Sequence, residues 1–162
     1  MAQDDLLDFP FDDIPLAKTS DDYYTPKWVF DALGLQFDFD VASPVGGISW
    51  IPAKKYFTQY DDGLAQDWAG KRVWMNPPYS KPAPWIDKWL ENNNGICLVA
   101  ASRSKPFTKL WEGCDGMAFM PANLKFVSGM GKEAGIYMPT VIAAVGSDNL
   151  AALRASGIGY VR

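Results

Sequence analysis

Residues 72–101 read RVWMNPPYSKPAPWIDKWLENNNGICLVAA, and their pattern sets the architecture. Arg72 to Met75 reads as a short strand running into Asn76-Pro77-Pro78-Tyr79, where the prolines forbid an interior ladder from continuing. Trp85, Ile86, Trp89 and Leu90 share one face at helical spacing, and the run from Asn92 to Gly95 closes that helix. Ile96 to Ala101 is apolar at every position, as expected of a central strand covered on both faces. Strand, helix and strand in this order predict an α/β fold with a mainly parallel sheet, whose sites lie at the carboxyl ends of strands.

Working outward, the same alternation continues on both sides. Thr25-Pro26 predicts a helix start, with Thr25 as N-cap and Pro26 at the first helical position. Trp28, Val29, Ala32 and Leu33 then share a face, and Gly34 ends the helix. Phe37, Phe39 and Val41 alternate with Asp38 and Asp40, a strand whose end carries a carboxylate. A Gly/Pro-bearing stretch from Ser43 to Pro52 and a polar-aromatic segment to Trp68 follow. Beyond Ala101, Phe107, Leu110 and Trp111 predict a helix and Met117 to Met120 a strand. Residues 127–139, with Gly129, Gly131 and Gly135, predict a flexible loop. Thr140 to Val145 is a strand, Asn149 to Ser156 a helix and Ile158 to Val161 a last strand.

Composition bounds the function. The 162 residues suit one domain, expected over 23–162 and preceded by an acidic, partly disordered arm over 1–22. That arm carries Asp4, Asp5, Asp8, Asp12, Asp13, Asp21 and Asp22 against Lys18 alone. Its balance of −6 leaves +2 on the remainder of a chain whose formal charge is −4. An acidic arm on a mildly basic body is compatible with a DNA partner. No apolar run approaches the length that spans a bilayer, and Met1 to Asp8 lack signal-peptide character, so a cytoplasmic chain with no membrane partner is expected. Cys97 and Cys114 have no metal-ligand spacing and read as reduced thiols, so no metal is expected. There is no histidine, which removes Ser-His-Asp and Cys-His nucleophiles and His-ligated zinc. Catalysis must then run on carboxylates, amides, hydroxyls, backbone groups or a bound cofactor.

Asn76-Pro77-Pro78-Tyr79 suits such chemistry. The exocyclic amine of adenine is a poor nucleophile because its lone pair is delocalised into the ring. Two acceptors gripping its protons pull the nitrogen toward a tetrahedral shape and free the lone pair for an electrophilic methyl group. The Asn76 side-chain carbonyl is one acceptor and the Pro77 backbone carbonyl the other, held rigid by the proline constraints. Tyr79 offers a ring on which an extruded base stacks, worth roughly 1–3 kcal/mol. The scheme works by positioning and electrostatic preorganisation.

These residues resemble the catalytic motif of amino-group methyltransferases that use S-adenosylmethionine. Tyr24-Thr25-Pro26, the stretch Phe37-Asp38-Phe39-Asp40-Val41-Ala42, Lys55-Tyr56-Phe57-Thr58 and Asp61-Asp62-Gly63-Leu64 with Asp67-Trp68 narrow the likeness to phage-type, Dam-like DNA N6-adenine methyltransferases. The likeness covers Tyr24 to Trp85 well and the rest loosely. It implies a Rossmann-like S-adenosylmethionine-dependent methyltransferase fold, S-adenosylmethionine as cofactor, and base flipping of adenine in DNA. It also implies site residues. Thr25 and Pro26 border the methionine end of the cofactor, and Asp40 contacts its amino group or anchors the first loop. One of Asp61 and Asp62 faces the ribose or adenine, with Asp62 the candidate. Asn76, Pro77 and Tyr79 hold the target base, and Pro78, Ser80 and Lys125 complete the substrate contacts. The sequence departs from the general pattern after Asp40, where no Gly-x-Gly loop follows and Gly46-Gly47 come later.

Plainer readings stand beside these. The tetrapeptide is also a turn sequence, Thr25-Pro26 is accounted for by helix capping, and Trp85 and Trp89 read as core. Arg103, Lys105, Lys125 and Lys132 read as solvated surface, or as phosphate contacts. Alternative functions are methylation of RNA or of a protein glutamine, or a binding protein that keeps the fold without activity. The Gly-rich loop from Val127 to Pro139 is the expected place of target contact.

Overall fold

A computed structural model describes residues 23–128, 132–134 and 138–162. The acidic arm, Gly129, Gly131 and Gly135 lie outside the described residues. Six strands form the main sheet: β2 (Phe37–Asp40), β3 (Ala53–Tyr56), β4 (Val73–Met75), β5 (Gly95–Ala100), β6 (Gly116–Phe119) and β9 (Thr140–Val145), in the order β3-β2-β4-β5-β9-β6. The first four pair in parallel, and β9 runs antiparallel between β5 and β6. The sheet is thus mostly parallel, as expected, with one reversed strand that the sequence pattern left undistinguished. A small antiparallel sheet joins β1 (Tyr23–Tyr24), β7 (Phe126–Ser128) and β8 (Glu133–Ala134).

Among the described residues four helices cover the main sheet: α1 (Lys27–Leu33), α2 (Ala83–Asn92), α3 (Lys105–Gly113) and α4 (Ser147–Ala155). The two-residue period of the strands sorts side chains to the two faces. Phe37, Trp74, Ile96, Leu98 and Ile142 pack with Phe30 of α1 and Leu153 of α4. Val73, Met75, Cys97, Val99 and Val141 pack with Ile86 and Trp89 of α2 and Leu110 of α3. Trp89 is fully buried, as its core reading requires.

Several sequence expectations need correction. Pro26, in extended backbone, occupies the N-cap of α1, and no side chain caps that helix. Thr25 lies one residue farther out and is buried at 1% exposure. The inward face of α1 is Val29, Phe30 and Leu33, while Trp28 is 42% exposed, so the apolar stripe is rotated from the one expected. β3 was not expected, because an exposed edge strand reading Ala-Lys-Lys-Tyr has no apolar alternation. The loop expected over 127–139 contains the end of β7 and all of β8. The strand expected over 158–161 is absent: Gly157 and Gly159 take positive φ and turn the chain. Only Arg162 exchanges backbone hydrogen bonds with Met117 of β6.

The segment from Phe57 to Trp68 is clamped onto the carboxyl end of β2 and onto α2. A 3-10 turn, Gly63–Ala65, lies so close to β2 that a Cβ on Gly63 would sit 1.9 Å from the Val41 carbonyl oxygen. Trp68 Nε1 donates to the Gly63 carbonyl at 2.9 Å. Lys88 Nζ of α2 donates to the carbonyls of Leu64 (2.6 Å) and Gln66, and lies 4.8 Å from the Trp68 ring centroid. Gly63→Ala is therefore expected to destabilise the fold by about 3 kcal/mol, the upper end of overpacking costs, because backbone must move. Urea unfolding midpoints check this, and a loss of less than about 0.5 kcal/mol would show that the close approach is soft.

Candidate active site

The order of the main sheet reverses between β2 and β4. From β2 the chain steps outward to β3, then returns to the other side of β2 as β4 and continues to β5. In such sheets the crevice outside the strand ends at the reversal is the place for a ligand. A cavity of about 550 Å³ opens there, a size that suits a small molecule. Thr25, Asp40, Asp62, Asn76 and Pro78 all line it.

Asp40 ends β2 opposite Trp74 of β4 and is 3% exposed. Burial pushes its carboxyl up to about 7, against the Ala42 amide and the Ser43 hydroxyl, which pull it down. The Ala42 N–H donates to Asp40 Oδ1 at 3.4 Å. Thr25 brings a second polar group to the cavity, and its buried hydroxyl has no partner among the described residues. Its carbonyl accepts from Trp50 Nε1 at 2.9 Å, which ties the β2–β3 loop to the start of α1. A buried carboxyl and an unsatisfied buried hydroxyl facing one cavity fit a ligand that brings an ammonium group and further hydrogen-bonding atoms.

The two acidic neighbours of Gly63 separate cleanly. Asp61 Oδ2 accepts from the Thr58 amide (2.8 Å) and hydroxyl (2.9 Å), and those bonds hold its carboxyl below the ordinary value. It builds the turn. Asp62 lines the cavity, in the left-handed backbone region at φ 53°.

Asn76 follows β4 directly. Its Nδ2 donates to the Tyr23 carbonyl of β1 at 3.2 Å, a contact spanning 53 residues of sequence. That bond fixes the amide so that Oδ1 is the group left to accept, and no described residue engages it. Pro77 is buried and is not on the cavity wall, whereas Pro78 is. Tyr79 lies on the other side of the loop, lining a second, smaller cavity of about 60 Å³ with Ile86, Ser102 and Phe107. Ser80 is exposed and lines neither cavity. Lys125 is also outside both, with its Nζ 3.6 Å from Glu133 Oε2 beside the small sheet. Pro26 does not line the cavity either and acts as the cap of α1.

Sequence reasoning missed several walls. Tyr23, Ser43, Phe57, Trp74 and Trp85 all line the larger cavity. Trp85, read as core, does both: it stacks on Trp68 with centroids 6.4 Å apart and presents a half-buried surface to the cavity. Its position at the end of α2 nearest the motif was the available signal. Gly46 and Gly47 border a neighbouring cavity that also touches Asp40.

Fold and site together define a mixed α/β protein with a ligand cavity at its strand-order reversal and an Asn-Pro-Pro-Tyr loop on the rim. The family model described as DNA N-6-adenine-methyltransferase (Dam) matches residues 15–136, and the chain belongs to that family. It is 34% identical over 99 residues to the DNA N-6-adenine-methyltransferase of Haemophilus phage HP1 (strain HP1c1). That match covers 56% of this chain and 54% of the phage protein, so the chain spans about half the length of the curated relative it matches. No solved structure matches it. No described helix is long and apolar enough to cross a membrane, and no described cluster of side chains would hold a metal ion.

The raised Asp40 carboxyl has a consequence for stability. Between 3.8 and about 7 the folded protein holds a proton that the unfolded chain has lost. The contribution of Asp40 is therefore fully present below the unfolded value and is lost as pH rises through about 7. Urea midpoints of the ligand-free protein, measured from about pH 5 to about pH 8, should fall relative to those of Asp40→Asn. Parallel pH courses would show that burial does not raise this carboxyl.

Proposed function

We propose that this chain transfers a methyl group from S-adenosylmethionine to the N6 amine of adenine in DNA, with the base extruded into the Asn-Pro-Pro-Tyr site. The observation that carries the reading is the Tyr23–Asn76 hydrogen bond. It commits the amide nitrogen to the protein and turns the carbonyl oxygen into the acceptor that an amine nucleophile needs. The reversal of strand order between β2 and β4 supports a Rossmann-like reading of the sheet.

The cavity at that reversal suits the cofactor, which supplies an electrophilic methyl when bound. Asp40, ionised beside an ammonium, would hold the amino group of the methionine portion, with the Thr25 hydroxyl beside it. Asp62 would face the ribose or adenine, and Trp85 and Phe57 would exclude water from the apolar wall. Asn76 Oδ1 and the Pro77 carbonyl would each accept one proton of the target amine. Their grip moves the lone pair out of conjugation at the moment it is needed. Tyr79 would stack on the base from the far side of the loop, and Pro78 stiffens the turn between the two chambers. Ser80 and Lys125, both exposed, are left to contacts along the DNA. The +2 balance outside the acidic arm implies modest, salt-sensitive affinity.

Incubation with methyl-labelled S-adenosylmethionine and, in turn, duplex DNA, RNA and protein tests the reading. Label is expected as N6-methyladenine in DNA; label only in RNA or protein would sink it, and cofactor binding without transfer would make this an inactive binder. Asn76→Ala should lose at least about 100-fold in transfer while cofactor affinity stays nearly unchanged. Tyr79→Phe should keep most activity and Tyr79→Ala lose roughly 10- to 100-fold, since stacking needs the ring. Equal damage from both Tyr79 variants would give the hydroxyl a part instead.

A further inference from the structure

The 60 Å³ cavity across the motif loop has a composition that the proposed chemistry has not used. Its walls are apolar: Tyr79, Ile86, Phe107 and Met138. Its volume is about a ninth of that of the larger cavity, so it admits the leading edge of a flat ring and not a whole nucleotide. Ser102 and Ser104, from the loop between β5 and α3, add two hydroxyls to that of Tyr79.

Those hydroxyls are 2.7 Å apart, so one donates to the other. Ser104 also caps α3, accepting from the Phe107 amide at 3.4 Å. The pair holds two hydroxyl hydrogens and spends one between its members. Ser102 is exposed, and no described residue accepts the second, whichever way the pair is turned, so it is open to solvent or a ligand. One donor therefore remains at the rim of an apolar slot, within the same cavity wall as the Tyr79 ring. Purine ring nitrogens are acceptors in the plane of the ring, the partners such a donor takes. A phosphate fits less well, because four apolar side chains would have to face it.

We propose that the Ser102–Ser104 hydroxyl pair reads a ring nitrogen of the methyl-accepting adenine, making these two serines specificity-determining residues on the base side of the loop. This rests on the DNA adenine reading given above. Asn76 and Pro77 would engage the exocyclic amine while the serine pair engages the ring, so a base lacking an acceptor at that edge binds out of line for transfer.

The test first maps a methylated site with the wild-type protein. Oligonucleotides are then made with the target adenine replaced by 1-deaza-, 3-deaza- or 7-deazaadenine, each lacking one ring nitrogen. For each protein the rate on adenine is divided by the rate on each analogue, a ratio that does not depend on how much of a variant is folded. The ratio for one analogue should be about tenfold larger in the wild type than in Ser102→Ala/Ser104→Ala. Ser102→Ala alone, which leaves the α3 cap in place, serves as a second variant and should have a ratio no larger than that of the wild type. If the double variant keeps the wild-type ratio for all three analogues, the serines do not read the ring and the proposal is overturned. An equal rate loss on every base, removed at high salt, would place a phosphate at the hydroxyls and likewise overturn it. A wild-type protein that methylates RNA or protein but not DNA would overturn the adenine reading and this inference together.

Discussion

The parallel pairing of β2 with β4 is the constraint on which the site depends. Phe39 lies opposite Val73 and Asp40 opposite Trp74, so the two strands end within one residue of the same level although 32 residues, 41–72, separate them. Asp40, at the end of β2, and Asn76, just past the end of β4, consequently line the same cavity. A shift of one residue would turn Trp74 out of its core face and bring Val73 in, exchanging the two hydrophobic clusters. The burial that fixes the register also fixes how far apart Asp40 and Asn76 stand.

What surrounds that pair is assembled from distant pieces, each held by backbone contacts. β1 arrives from the amino-terminal side, pairs with β7, and offers the Tyr23 carbonyl to Asn76. The β2–β3 loop is pinned to Thr25 by Trp50. The 3-10 turn is pressed against Val41 and tied to α2 through Lys88 and Trp68. The cavity walls are cross-braced for that reason, an arrangement suited to chemistry by positioning. Asp40 is the costly element: a carboxyl kept from water with no cationic partner among the described residues, a cost that a bound ammonium would relieve.

The fold was legible wherever burial imposes a period. β4, α2 and β5 follow from apolar spacing, because both faces of the strands and one face of the helix are covered. β3 was not legible, since an edge strand with exposed lysines carries no alternation, and the last strand failed because two glycines with positive φ bend the chain. In the site, Asn76 and Asp40 stood out because each directly follows or ends an apolar strand. Which of Asp61 and Asp62 faces the cavity depends on the Thr58 turn, a local hydrogen-bond pattern that two adjacent acids do not reveal. Thr25 was read both as the α1 cap and as a neighbour of the cofactor; its hydroxyl caps nothing, is buried and belongs to the cavity wall. Trp85 and Tyr23 were missed because their roles arise only when the strand ends meet.

The described residues thus present two chambers divided by one proline-bearing loop, with Asn76 and Pro78 on one side and Tyr79 on the other. In the methyl transfer proposed above, the cofactor would take the larger chamber and Asn76 would stand where it meets the base. A crystal structure with S-adenosylhomocysteine bound tests this most directly. The ligand should lie in the larger cavity, its amino group within hydrogen-bonding distance of Asp40 and its sulfur turned toward Asn76. Density for the ligand outside that cavity, or with the sulfur facing away from Asn76, would contradict it.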